Sequence, residues 1–73
     1  MEIYVVLIED RHCDVTVELY ANRDVALGRA MDIALDRAYT SDDIRVAEVK
    51  GWEYYVEYSC ESDSVRVEKV LVK

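Results

Sequence analysis

Proline and phenylalanine are absent from this 73-residue chain, and glycine occurs only twice, at Gly28 and Gly51. Two isolated glycines cannot build the Gly-rich strand-to-helix loop that cradles phosphate. Without proline there is no stiff linker, and residues 1–73 read as a single domain. Cysteine is scarce as well: Cys13 and Cys60 are too few for a disulfide scaffold. Bases are outnumbered, with nine Lys and Arg against sixteen Asp and Glu for a formal charge of −7. Binding a phosphate backbone needs the opposite sign, so direct nucleic-acid binding is excluded, as is attraction to an anionic membrane. No apolar run reaches membrane-spanning length, and Met1-Glu2-Ile3-Tyr4 leads into a strand rather than a secretory leader. These absences predict a cytoplasmic protein with free thiols, no cofactor, and a basic protein surface as the favoured partner.

What is present is organised around Asn22 to Tyr39. Asn22 is a good N-cap, and Asp24 places negative charge in the first turn, where the helix dipole favours it. Ala26, Leu27, Ala30, Met31, Ile33, Ala34 and Ala38 recur at three- and four-residue spacings, predicting an amphipathic helix with Arg29, Asp32 and Asp36 opposite. Gly28 inside it costs roughly 1 kcal/mol relative to Ala. Its expected benefit is a close approach of helix to sheet.

Elsewhere the chain alternates with period two. Glu2 to Asp10 reads as a strand with apolar residues on both sides, which predicts a central strand covered on both faces. After a turn at Arg11-His12-Cys13-Asp14, Val15 to Ala21 forms its hairpin partner, with Val15, Val17 and Leu19 expected inward. Ile44 to Val49 is ambiguous between a short strand and a loop. Gly51 marks a bend, and Trp52 to Cys60 is the most aromatic strand. Ser64 to Val72 closes the chain, with a bulge near Glu68-Lys69 expected to bring Val65, Val67, Val70 and Val72 onto one side. The expectation is an α+β, two-layer domain: four antiparallel strands in the order β-β-α-β-β, with one helix on one face. With 52% apolar residues in so short a chain, one helix leaves a surplus, which implies a homodimer or a sticky binding face.

Two groupings bear on function. On the outward sheet face, Tyr4, Glu18, Tyr20, Glu53, Tyr55, Glu57 and Glu68 are expected to form an acidic, tyrosine-rich surface for a basic partner. Tyrosine also suits strands generally, and Glu keeps an open face wet. The second grouping is the pair of hairpin turns, holding Asp10, His12 and Asp14 on one side and Glu61 and Asp63 on the other. With Cys13 and Cys60 nearby, these residues admit a metal or hydrolytic site. They lack paired metal-ligand spacing and a defined nucleophile, so solvated turns are the plainer reading and no catalytic residue or metal is assigned.

Tyr4-Val5-Val6-Leu7-Ile8-Glu9-Asp10-Arg11-His12, Gly51-Trp52-Glu53-Tyr54-Tyr55 and Tyr58-Ser59-Cys60-Glu61-Ser62-Asp63-Ser64-Val65 resemble short acidic reading frames of phages and prophages. The resemblance implies a host-cytoplasmic protein that binds and inhibits a nucleic-acid-processing or defence complex. It implies no catalytic residues. The expectation is thus a non-enzymatic interaction module. A small-ligand or nucleotide-sequestering protein, with Trp52, Tyr55 and Arg66 lining a dimer seam, is the alternative from another class.

Overall fold

In the computed structural model, which describes residues 1–10, 15–59 and 63–72 (backbone alone at Ser41), the helix begins where the N-cap places it. Asn22 has extended backbone angles, and its Oδ1 accepts a hydrogen bond from the Val25 N–H at 3.1 Å. Helix α1 then runs Arg23–Arg37, with Asp24 in the first turn and Arg37 in the last, both complementing the dipole. The strands are β1 (Glu2–Glu9), β2 (Thr16–Tyr20), β3 (Arg45–Ala47), β4 (Tyr54–Glu57) and β5 (Ser64–Leu71), with a 3-10 turn at Ser41–Asp43.

All neighbours are antiparallel, in the order β2-β1-β5-β4-β3. The α+β architecture with one helix on an antiparallel sheet is as expected. The sheet nevertheless has five strands rather than four. The additional strand comes from the ambiguous segment: Arg45, Val46 and Ala47 pair with Glu57, Val56 and Tyr55. Three residues are too few to display a period, and only the partner strand makes them β. The first and last strands pair at the centre, from Glu2↔Leu71 to Glu9↔Ser64, without interruption. That continuous ladder replaces the expected bulge at Glu68-Lys69. Val65 and Val67 are therefore buried, while Val70 and Val72 are exposed.

The core lies between α1 and one sheet face. Val6, Val56, Val65 and Val67 form its fully buried floor, and Ala26, Ala30, Ile33 and Ala34 press down on it. Burying each valine is worth roughly 1.5–3 kcal/mol. Three alanines in register let the helix sit close to the sheet. Gly28 has no part in this: it is exposed, and a Cβ there would meet nothing within 4 Å. Gly51, by contrast, needs its freedom, since its φ of 95° lies in the left-handed region within the turn closed by Trp52 N–H on Val49 O.

The structure reverses the expected inside and outside of the β1–β2 hairpin. Tyr4, Val6 and Ile8 lie under the helix, and Ile3, Val5 and Leu7 face away. The register Val5↔Leu19 and Leu7↔Val17 ties the apolar residues of β2 to the outward set. Val17 and Leu19 consequently remain 53% and 66% exposed. A one-residue change of parity flips an entire strand, so this single difference relocates every surface residue of the hairpin.

Candidate functional site: the open face of the sheet

The seven expected partner-binding residues do not share a surface. Tyr4, Glu18, Tyr20 and Glu53 lie on the helix side, and Tyr55, Glu57 and Glu68 on the other. Those on the helix side are engaged with α1 or with one another. The Arg29 guanidinium clamps Glu18, with Nε at 2.9 Å from Oε1 and Nη2 at 3.1 Å from Oε2. Those charge-assisted bonds, with a further one from Tyr20 Oη at 2.7 Å, hold the Glu18 carboxyl below its ordinary range. Glu53 lies 3.8 Å from Arg23 and 3.9 Å from Lys69. Tyr4 is 7% exposed and donates to Glu2 at 3.1 Å; burial and that bond raise its phenol above the usual value.

The open face has two halves. Over β2 and β1, Val17, Leu19, Ile3, Val5 and Leu7 form an apolar surface that no charge interrupts among the described residues, continued by Val70 on β5. Over β5 and β4 lies a compact polar rib. Arg66 is flanked by Leu7 on one strand and Tyr55 on the other. Its guanidinium lies 4.7 Å from the Trp52 ring centroid, in cation–π range, and the Trp52 and Tyr55 rings are 5.3 Å apart. Arg66 also donates to Glu68 at 2.8 Å and to Glu9 at 2.7 Å. Tyr55 Oη donates to Glu57 at 3.0 Å. Trp52, Tyr55 and Arg66 thus come together. Two carboxylates already neutralise the guanidinium, so the cluster is self-satisfied rather than an anion cradle. A cleft of about 680 Å³, lined in part by Val46, Val49, Gly51, Trp52 and Tyr54, lies at the connection from β3 to β4.

Of the turn residues, His12, Asp14 and Glu61, together with Cys13 and Cys60, lie outside the described residues. Asp10 and Asp63 stand at the same end of the paired β1 and β5, each in a structural role. Asp10 accepts from Tyr58 Oη at 2.5 Å and from Arg37 Nη1 at 3.1 Å, fastening the end of α1 to the sheet. Asp63, 4% exposed, accepts from Ser59 Oγ at 3.0 Å. Among the described residues no group of three or more His, Cys, Asp or Glu is placed to hold a metal ion. Likewise, among them no helix is long and apolar enough to cross a membrane.

The residues that the sequence reading missed are the outward aliphatics of β1 and β2. Their signal was present in the apolar surplus and in β1 being apolar on both sides. Comparison with family models, curated proteins and solved structures finds no match.

Proposed function

We propose that this chain is a non-enzymatic protein-interaction module whose working surface is the open face of the sheet. The observation that carries this reading is the exposure of Val17 and Leu19 beside the outward residues of β1. Scattered exposed aliphatics are ordinary, but a contiguous set across neighbouring strands, rimmed by polar residues, marks a contact surface. Trp52 and Tyr55 at its margin add rings that give contact area. The narrower form, a phage-type inhibitor occupying a basic host surface, draws on the resemblance and on the charge of −7.

The test is capture on sparsely immobilised bait, from a host lysate that also contains a differently tagged second copy of the chain. Wild type is expected to retain a protein that Leu19→Lys loses, at tenfold or greater reduction for a central contact. A basic partner would in addition be lost with Glu57→Lys and at raised salt. Equal capture by wild type and Leu19→Lys would contradict the reading.

A further inference from the structure

The size and charge of the open face narrow what could cover its apolar half. We propose that it is a second copy of this chain, packed face to face about a two-fold axis so that two sheets lie between two outer helices. The inference rests on the open face being the working surface, and adds what covers it.

Size is the first argument. Strands of eight, five, three, four and eight residues, at about 3.3 Å per residue and about 4.8 Å spacing, give a face with a footprint on the order of 400 Å². Accessible area exceeds footprint on a surface studded with side chains. One face therefore comes to about the 600 Å² per partner at the lower end of stable interfaces.

Charge is the second argument, and it separates a second copy from a basic partner. The chain carries −7, so two copies repel at long range unless they meet where little of that charge resides. The open face meets that condition. Among the described residues it bears three carboxylates, Glu9, Glu57 and Glu68, against two guanidiniums, Arg45 and Arg66. Glu9 and Glu68 are already bound to Arg66, and Arg45 stands opposite Glu57 in the ladder. Nearly all of the acidic surplus is left elsewhere. A face selected for a basic partner would be the most acidic surface of the molecule, and this is among the least.

Geometry is the third. Aligned sheets pack about 10 Å apart with inward side chains interdigitated. The medium-sized aliphatics Val5, Leu7, Val17 and Leu19 suit that spacing, and their burial would cover β1 on both sides. An isologous contact is self-complementary, as an apolar patch with balanced charges at its edge can be.

Sedimentation equilibrium on the full chain tests this. Wild type is expected at twice the 8.5 kDa chain mass, with a dissociation constant that stays level or falls as salt screens the repulsion. Leu19→Lys and Val70→Lys, on different strands of the open face, are expected to raise that constant at least about tenfold, with far-UV circular dichroism unchanged. Leu35→Lys, at an exposed helix position, is expected to leave it unaltered. If Leu19→Lys loses the fold, Val70→Lys decides. A wild-type monomer at millimolar concentration overturns the proposal, as does a dimer indifferent to both open-face substitutions. A monomer that still captures a different protein through Leu19 overturns this inference alone and leaves the interaction reading standing. A monomer with capture indifferent to Leu19→Lys overturns both.

Discussion

Val67→Asp is expected to abolish cooperative folding, whereas Val70→Asp, three residues further along the same strand, is expected to leave the fold intact. Val67 is fully buried beneath the helix, between Val6 on β1 and Tyr54 on β4. A carboxylate there would lie within the apolar core, and an uncompensated buried charge costs about 3–5 kcal/mol or more. The cavity and shape change add to that. A domain of this length holds only about 4–11 kcal/mol in all. Val70 is 46% exposed on the open face, so the same substitution meets water and costs under about 1 kcal/mol in the isolated chain. Urea unfolding followed by far-UV circular dichroism reads both. Equal destabilisation of the two would mean that the strand parity is not as described.

The second large effect is on alkaline stability. Tyr58 is 2% exposed, and its phenol is pushed up to about 12, first by burial and then by donating to the Asp10 carboxylate, with Arg37 acting in the opposite direction. In the unfolded chain the same group titrates near 10. The folded state thus binds the proton more tightly. Its contribution is complete below pH 10 and is lost as pH rises through 12. Ionisation would set a phenolate against Asp10 at hydrogen-bond distance. Tyr4, Tyr20, Tyr54 and Tyr55 are also raised, by burial or by bonds to neighbouring carboxylates, so they add in the same direction. The protein should hold a constant melting temperature through neutral pH and unfold cooperatively between pH 10 and 12. Tyr58→Phe is expected to cost about 1–2 kcal/mol at pH 7, through the lost charge-assisted bond. The same variant should flatten the alkaline decline, so the two stability profiles converge at high pH. Parallel profiles would show that Tyr58 is not the responsible group.

Local signals were the legible part of this fold. Asn22, Asp24 and the alanine spacing mark the helix to within two residues at either end, because capping and periodicity act within a few positions. Tyr54, Val56 and Tyr58 point inward as their alternation says. Trp52, which the same alternation places with them, lies instead against Arg66 and Tyr55 on the open face. The strand begins only at Tyr54, and the turn at Gly51 resets the period before it. The hairpin failed for a physical reason. In β1 both parities are apolar, so alternation names two faces without saying which meets the helix. In β2 the ordinary assumption that valine and leucine go inward chose wrongly. The structure accommodates Glu18 and Tyr20 on the helix side because Arg29 reaches across from α1 to neutralise the carboxylate. That pairing joins residues eleven apart on different elements and leaves no trace in either period. The candidate site was therefore half visible: Tyr55, Glu57, Glu68, Trp52 and Arg66 belong to the open face, and its aliphatic half was assigned to the core.

The parity of the β1–β2 hairpin is the claim on which the open face depends, and nuclear Overhauser contacts from the Ala30 methyl test it most directly. Cross-peaks from Ala30 to the methyls of Val6 and Val67, with none to Val5 or Leu19, are the pattern expected of a helix resting on the even residues of β1. Contacts from Ala30 to Val5 and Leu19 would place those side chains in the core and leave no apolar face for a partner to cover.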